Sequence, residues 1–249
     1  MEGTRILRNS QIIILGICIA MATILSSIIL SKSFLKMMKV RNEIITVTGS
    51  DWEEIKSDYV VWNAKFSRRE SSLPAAYNKL KEDLDKVKAY LFSKGVDEKE
   101  IIVSQISTNK FYKRNKKGNN TNDIEGYRLI QNIGIRSKDV DKITRISRES
   151  TELINKGIEV ESYSPEYFYT KLDELKIKML ARAAQNAKER AKNMIEATGN
   201  KIGVMRSARM GVFQITPLNS TEVSDWGVND TTSLEKKVTA VVSVSFAIE

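Results

Sequence analysis

The residues available for chemistry are carboxylates, lysines and tyrosines, because the chain has no histidine and a single cysteine. That cysteine, Cys18, lies inside an uncharged apolar run. A Ser-His-Asp triad, a Cys-His pair, a histidine-ligated zinc or iron and a disulfide within one chain are therefore excluded. The sequence predicts no catalytic residue by motif, no cofactor and no metal site.

Two groups of carboxylates are close enough in sequence to work as an acid and a base. They are Asp51, Glu53 and Glu54 beside Trp52, in a segment that we interpret as an acidic turn, and Glu159 with Glu161 on one face of a predicted strand. Pairs of Asp or Glu cleave sugars in glycoside hydrolases. Acidic residues at turns and strand ends are usually only solvated, so a carboxylate-dependent envelope hydrolase is the alternative hypothesis and not the first one.

The densest basic segment is residues 110–117, in which Phe111 and Tyr112 lie among the cations. Such a pattern can stack nucleic-acid bases and neutralise phosphates. It also fits the end of a strand that enters a polar loop, which is the interpretation we favour. Of the formal charge of +9, residues 1–41 carry +5, close to a predicted membrane segment where basic residues meet anionic lipid. We therefore predict no nucleic-acid partner.

A run of 19 uncharged residues, 12–30, is predicted to hold the domain at a membrane. As a helix it would be about 28 Å long, close to the hydrocarbon thickness of a bilayer. A cleavable signal has a shorter apolar core of about 7–15 residues and a small-x-small exit, whereas this run exits through Ser31-Lys32-Ser33. We predict a transmembrane signal anchor at 12–30, after a short basic segment (1–11) and before a basic juxtamembrane linker (31–42). A cleaved signal is the alternative.

The orientation of the anchor depends on basic residues at its two ends. They are Arg5 and Arg8 before the run, and Lys32, Lys36, Lys39 and Arg41 after it. A plain count favours a cytoplasmic domain. However, the leading segment is too short to fold, and apolar residues among the trailing lysines favour their lying along the interface. We predict a single-pass protein of the cell membrane with its C-terminal domain outside the cytoplasm. A cytoplasm-facing signalling adaptor is the alternative.

Residues 43–249 show the patterns of an ordinary globular domain. Strands are predicted at 43–49, 59–67, 101–112, 126–135, 158–163, 202–215 and 237–248, and helices from Ser71 or Ser72 to Gly95, at 137–156 and at 173–198. Residues 216–233 are predicted to form a polar loop that contains Trp226, and three Asn-x-Thr sequences, at Asn119, Asn219 and Asn229, mark exposed loops. This order predicts an α+β fold of two small lobes, built from strand–helix–strand units with antiparallel sheets and preceded by one transmembrane helix.

The third helix of this domain is rich in alanine. Its predicted apolar stripe consists of Ile177, Leu180, Ala184, Ala187, Ala191 and Met194. Small residues in the middle of the stripe would let the helix approach a sheet or a second helix closely. Ala184, Ala187 and Ala191 are therefore the candidates for packing between subunits of an oligomer.

The order of several short motifs resembles the SIMPL-domain family, the YggE-like proteins of bacterial cell envelopes. The motifs are Ile45-Thr-Val-Thr-Gly49, Gly126-Tyr127 with Gln131 in the same strand, Lys156-Gly157-Ile158, the alanine-rich helix that ends at Gly199, and the closing strand Val241-Val-Ser-Val-Ser-Phe246. The resemblance covers nearly all of residues 43–249. It implies a two-lobed α+β domain, export, assembly into ring-like or channel-like homo-oligomers, and a link to protection against oxidative stress. It supplies no catalytic residues.

We therefore predict a membrane-anchored, non-catalytic envelope protein that contacts the membrane through residues 12–30 and assembles with copies of itself.

Overall fold

The computed structural model describes the backbone of residues 2–249 and the side chains of residues 14–35, 37 and 43–249. Its helices are α1 (Glu2–Asn42), α2 (Leu73–Ser93), α3 (Val140–Glu149) and α4 (Leu172–Glu196), with 3-10 helices at Glu98–Glu100 and Ser150–Lys156. Its strands are β1 (Ile44–Lys56), β2 (Tyr59–Glu70), β3 (Ile101–Val103), β4 (Ser107–Arg114), β5 (Asn120–Ser137), β6 (Glu159–Ser162), β7 (Glu166–Phe168), β8 (Ile202–Met210), β9 (Gln214–Pro217), β10 (Val228–Asn229) and β11 (Glu235–Ile248). Four α-helices and two largely antiparallel sheets confirm the predicted α+β fold class.

The N-terminal helix α1 contains a segment, Ile14–Leu35, that is long and apolar enough to cross a membrane. Its 22 residues correspond to about 33 Å of helix. A signal sequence near the N-terminus has the same length and composition. The side chains on which the predicted orientation depends, those of Arg5, Arg8, Lys36, Lys39 and Arg41, lie outside the described residues.

The chain forms two compact units, and each unit is assembled from separate stretches of sequence. Unit 1 contains the residues up to Asp51, Leu180–Gly211 and Val241–Glu249, and unit 2 contains Trp52–Met179 and Val212–Ala240. Three elements, β1, α4 and β11, therefore contribute residues to both units.

Unit 2 has a six-stranded sheet in which β5 and β2 are the central strands, in the order β3-β5-β2-β6, with β4 also paired to β5 and β7 to β2. The central pair runs antiparallel from Val60 opposite Ser137 to Glu70 opposite Tyr127. Helices α2 and α3 pack on one face and bury a core that includes Trp62, Phe66, Leu80, Leu129 and Ile143.

The two helices of unit 2 begin at capping residues. The Ser72 side chain accepts a hydrogen bond from the Ala75 amide, and Pro74 lies in the first turn of α2, as predicted. Helix α3 is capped by Asp139, two residues after the predicted start at Ser137. The predicted stripe of this segment is confirmed, because its members are all buried: Val140, Ile143, Ile146, Ser150 and Leu153.

Several predicted boundaries in unit 2 are corrected by the structure. The acidic segment at Asp51–Glu54 is no turn, because β1 continues to Lys56 and the chain reverses at Ser57 and Asp58. The strand predicted at 101–112 is interrupted between β3 and β4, where the Ser104 amide bonds to the Asn132 carbonyl. The short strands β7 and β10 were not predicted.

Unit 1 is organised around β11, which lies between β1 and β8. Thr46 of β1 and Ser245 of β11 share a hydrogen bond of 2.9 Å. The strand predicted at 202–215 is two strands, because β8 pairs with Val242–Ile248 and β9 pairs with the earlier part of β11 at Lys236–Thr239. The second of these pairings lies in unit 2.

Helix α4 packs on β1 at Gly49. A Cβ atom at Gly49 would lie 2.2 Å from the Ala183 carbonyl oxygen and 2.7 Å from the Ala187 Cβ, so only glycine fits. The buried row of the helix contains Met179, Ala183, Ala187, Ala191 and Ile195. The predicted stripe is thus corrected at its ends, since Ile177 and Met194 are exposed by 71% and 59%.

Candidate functional site

The first predicted carboxylate group is spread along β1. Successive side chains of a strand point to opposite faces, so Glu53 and Glu54 do not converge. In unit 1, Asp51 forms an ion pair with Arg182, whose Nε lies 2.9 Å from the carboxylate. Trp52 is 61% exposed. This segment does not assemble an acid and a base on one site.

The second predicted group, Glu159 and Glu161, does lie on one exposed face of β6, as predicted. Arg128 contacts the Glu159 carboxylate at 2.5 Å, and the Ser67 hydroxyl donates a hydrogen bond to it at 2.9 Å. Lys65 lies 2.8 Å from the Glu161 carboxylate and lowers the pKa of Glu161 through that hydrogen bond. A general acid for glycoside cleavage needs a raised pKa, so these neighbours oppose that role.

An ion pair that the sequence analysis missed lies in the core of unit 2. Asp83, only 1% exposed, accepts two hydrogen bonds from the Arg68 guanidinium, one of them at 2.8 Å. Arg68 also donates to the Gly157 carbonyl at 2.7 Å, and its own pKa is raised by the hydrogen bond to Asp83. The arrangement connects β2, α2 and the turn at Gly157, which is a structural role. A charged residue on the apolar stripe of α2, three positions after Leu80, was the available signal.

Lys236 is a buried cation, with 3% of its surface exposed. Its Nζ donates hydrogen bonds to the carbonyl oxygens of Tyr167 at 2.6 Å and Asp230 at 2.5 Å. Burial lowers the pKa of this lysine. Because two backbone carbonyls already accept from the ammonium group, its contacts are those of a residue that holds β7 and the chain after β10 together.

The basic segment at residues 110–117 lies on a hairpin of β4 and β5. Arg69 lies over the Phe111 ring, 4.3 Å from its centroid, and pairs with Glu125 at 3.0 Å. The predicted loop is a tight turn, in which the Asn115 side chain accepts from the amides of Lys117 and Asn119. One of the two aromatic rings is thus covered within the chain, and the absence of a nucleic-acid partner stays a prediction.

The three candidate alanines have different environments. Ala187 and Ala191 are fully buried inside unit 1, where their neighbours belong to the same chain. Ala184 is exposed and lines a groove of about 700 Å³. Of the three, only Ala184 can contact a second copy without a rearrangement of this unit, and the packing role itself stays a prediction.

The groove beside Ala184 has an apolar floor, and we call it the unit 1 groove. Val244 and Phe246 of β11 form its floor, and α4 and β8 form its walls. The complete lining is Ala184, Gln185, Lys188, Ile202, Gly203, Val204, Met205, Val244, Phe246 and Glu249.

Strand β8 is an edge of its sheet, since β11 is its one partner among the described strands. Residues 204–210 are all exposed, and three of them are large and apolar: Val204 by 62%, Met205 by 60% and Met210 by 59%. An exposed apolar edge strand is a ready template for pairing with another chain. The sequence analysis identified this strand but could not foresee its exposure.

Unit 2 carries a second exposed apolar feature, the tip of residues 218–227, which we call the tryptophan loop. Trp226 is 95% exposed and Val223 is 79% exposed. Buried Gln214 fixes the base of the loop: its side chain donates to the Ser224 carbonyl at 2.7 Å and accepts from the Val228 amide at 2.9 Å. The loop is therefore ordered although its largest side chain faces solvent.

Among the described residues, no group of three or more Cys, Asp or Glu side chains is arranged to hold a metal ion.

Comparison with protein families gives one match, over residues 45–246, to the SIMPL family, described as "Protein of unknown function (DUF541)". The chain belongs to the SIMPL family. The match begins in β1 and ends in β11, so the SIMPL domain includes both units. The predicted family is confirmed, and the description of the family assigns no activity. No curated protein matches the chain.

Solved structures resemble the SIMPL domain only distantly. An amidase of the hydantoinase/carbamoylase family from Burkholderia phymatum aligns over 53% of this chain at 7% identity, with a TM-score of 0.30. A related amidase from Burkholderia multivorans aligns over 52% at 12% identity (TM-score 0.23), and the designed protein Foldit4 over 42% at 24% identity (TM-score 0.21). The chain covers 35% and 30% of the two amidases and 93% of Foldit4. Likenesses at this level do not bear on activity.

Proposed function

We propose that this SIMPL protein is a membrane-anchored, non-catalytic component of the cell envelope that self-assembles through its SIMPL domain and takes part in stress protection. The observation that carries the proposal is the apolar surface of unit 1, where β8 exposes Val204, Met205 and Met210 by about 60% each. Soluble proteins normally blunt such edges with lysine, proline or a covering element. A second chain would cover this one.

The anchor supports assembly at a membrane. Residues 12–30 are longer than the apolar core of a signal peptide and lack its cleavage site, which favours retention. Only eight residues separate Leu35, the end of the apolar segment, from the first residue of β1. The domain is thus held close to the bilayer, and copies confined to one membrane meet at a raised effective concentration.

The absence of catalysis is supported by the carboxylates themselves. The Glu159 and Glu161 side chains each have a cation within hydrogen-bond distance. Lys65 lowers the pKa of Glu161, which opposes a role for that residue as a general acid. The role in stress protection comes from the resemblance of the motifs alone. If an envelope hydrolase were present instead, changing both Glu159 and Glu161 to glutamine would abolish the phenotype of the cell that depends on the protein.

The experiment that tests self-assembly is light scattering of the full-length protein in detergent. We expect a discrete oligomer, and a lower mass when Val204 and Met205 are both changed to lysine, because an edge lysine opposes pairing. Met194→Lys is the matched control, since Met194 is equally exposed (59%) but does not line the unit 1 groove. A monomeric wild-type protein would refute the proposal.

The orientation has its own test. In a Cys18→Ser background, Thr221→Cys places one thiol on an exposed loop of unit 2. We expect a membrane-impermeant maleimide to label this variant in intact cells, as an extracytoplasmic domain requires. Labelling only after lysis would place the domain in the cytoplasm and favour the signalling adaptor.

A further inference from the structure

The unit 1 groove and the tryptophan loop are both exposed and apolar, and the charged residues around them differ in sign. We propose that the unit 1 groove of one copy binds the tryptophan loop of another, so that Trp226 is the anchor residue of a head-to-tail contact. This inference rests on the proposed self-assembly and names the two surfaces that meet.

The loop has the form of an inserting element. A tryptophan exposed by 95% leaves a large apolar surface in water, and tryptophan is the residue most enriched among those that dominate binding energy. Gln214 and the Ser224 hydroxyl, which accepts from the Trp226 amide at 3.2 Å, hold the backbone in place before binding. A preorganised loop loses little conformational entropy when it docks.

The groove has the form of a receptor. Its volume of about 700 Å³ is within the range of binding pockets, roughly 300–1,000 Å³. Val244 and Phe246 provide an apolar floor, and Met205 at its wall is an adaptable side chain that packs well against aromatic rings. Gly203 and Ala184, both small, keep the groove open.

The loop is acidic, whereas the elements that supply the walls of the groove are basic overall. Residues 218–227 contain Glu222 and Asp225 and no Lys or Arg, which gives the loop a formal charge of −2. Residues 182–209, which supply both walls of the groove, contain seven Lys or Arg and two Glu, a formal charge of +5. Lys188 lies on the groove itself, and Glu249 is its one acidic lining residue. Opposite charges of this kind favour one partner and one orientation.

The two acidic residues of the loop also indicate which molecule occupies the groove. A lipid surface with anionic headgroups would repel Glu222 and Asp225, whereas the basic walls of the groove attract them. A second copy of this chain is therefore the partner that the surfaces fit.

Thiol crosslinking between two differently tagged full-length chains tests the contact. In the Cys18→Ser background, which removes the chain's one cysteine, Met205→Cys is coexpressed with Val223→Cys, a change on the loop that leaves Trp226 in place. We expect a disulfide-linked dimer of twice 28.2 kDa that carries both tags. Met194→Cys with Val223→Cys, and Met205→Cys with Trp52→Cys, are the matched controls and should give no such product.

A second measurement tests the contact without depending on the formation of a disulfide. Trp226→Ala should raise the concentration for half-dissociation of the oligomer by at least about 30-fold, as expected for a dominant interface residue. Trp52→Ala should leave it unchanged. An oligomeric wild-type protein that gives no specific crosslink and is unaffected by Trp226→Ala would overturn this inference while the proposed function stands. A wild-type monomer would overturn both.

The lipid alternative has a distinct outcome. A fluorophore attached through Met205→Cys should be quenched by a spin label attached through Val223→Cys of another copy in nanodiscs. Quenching by spin-labelled lipid alone would overturn the inference and assign the groove to the bilayer.

Discussion

The carboxylate of Asp83 lies inside the core of unit 2, where Arg68 supplies two hydrogen bonds. We predict that Asp83→Ala destabilises the protein by roughly 3 kcal/mol, because it leaves the buried end of a guanidinium without its counter-charge. The measurement is urea unfolding followed by the fluorescence of the tryptophans.

Asp85→Ala is the control for this prediction, since Asp85 lies on the exposed side of the same helix. Replacing both Arg68 and Asp83 by methionine should recover much of the loss, because the pair is then removed as a whole. A loss for Asp83→Ala no larger than for Asp85→Ala would show that the pair adds little.

The ion pair of Lys65 and Glu161 predicts a pH dependence at both ends of the range. The hydrogen bond lowers the pKa of Glu161 below its ordinary 4.5 and raises the pKa of Lys65 above 10.5. The pair therefore stabilises the fold between these values, and its contribution is lost as pH falls through the lowered pKa or rises through the raised one. In Glu161→Gln, the melting temperature should depend less on pH at both ends.

Glu166→Gln, a change on the neighbouring strand β7, is the control for this pH dependence. Identical curves for Glu161→Gln and the wild-type protein would show that the pair is fully screened by solvent. Since both groups are exposed, the effect should be small and should shrink further as salt is added.

For single residues, the sequence predicted which side chains are available for chemistry better than it predicted what those side chains contact. It showed that histidine and cysteine chemistry is missing, and it placed Glu159 and Glu161 on one face. It could not show that Lys65 and Arg128 meet these carboxylates, because the contacts join residues about 30 to 100 positions apart. The ion pair of Asp83 was not predicted either, because its partner Arg68 lies on another element.

Among the elements, the contact of α4 with β1 depends on atoms too close for any side chain at Gly49. We predict that Gly49→Ala destabilises the protein by about 1–3 kcal/mol or more, because the added Cβ would meet the backbone of α4. Ala187→Leu should act in the same direction, since Ala187 is fully buried at this contact.

Ala184→Leu is the control that distinguishes an effect on folding from an effect on assembly. Ala184 is exposed on the same helix, so its enlargement should leave thermal stability nearly unchanged and alter the oligomer mass by filling the unit 1 groove. If Ala187→Leu were as stable as the wild-type protein by calorimetry, the close packing on Gly49 would be contradicted.

The predictions of secondary structure were wrong where the local sequence pattern fits more than one structure. Alanines at 183, 184, 187 and 191 make two neighbouring faces of α4 look apolar, and only the position of Gly49 selects the buried one. The acidic residues of β1 resembled a turn because charged side chains also occupy the exposed positions of a strand. The division of β8 from β9 follows from their separate pairing with β11, which no local pattern records.

For the whole molecule, the fate of α1 determines whether the protein is tethered or free. We predict that protein purified from membranes has the intact mass of 28.2 kDa, because the apolar segment lacks a cleavage site. Mass spectrometry of the detergent-extracted chain measures this directly. A product shorter by about 3 kDa would identify a cleaved signal and would contradict the anchor. Ile24→Arg with Ile28→Arg should abolish membrane retention, since each arginine near the centre of a span costs about 3 kcal/mol.

A head-to-tail contact has a further consequence for chains held in one membrane. An open chain of copies keeps one free groove at one end and one free loop at the other until the last contact closes a ring, whereas a contact that does not close produces an open filament. Anchors that all enter the same bilayer favour a cyclic arrangement around an axis normal to it. Discrete masses in detergent would indicate closure, and a broad, concentration-dependent distribution would indicate an open chain.

The hydrogen bond between Thr46 and Ser245 joins residues 199 positions apart. This separation has a consequence for the folding of the chain during its synthesis. Strand β1 leaves the ribosome early, but its neighbour β11 is made only after α2, α3, α4 and nine further strands. In the proposed anchored form, the nascent chain is inserted through α1 while translation continues, and its first strand has no partner. Such long-range pairing is slow, so the unfinished domain is exposed to proteases and chaperones on the side of the membrane where it emerges. A ribosome that stalls before residue 241 would leave a tethered, unfolded chain for quality control to remove.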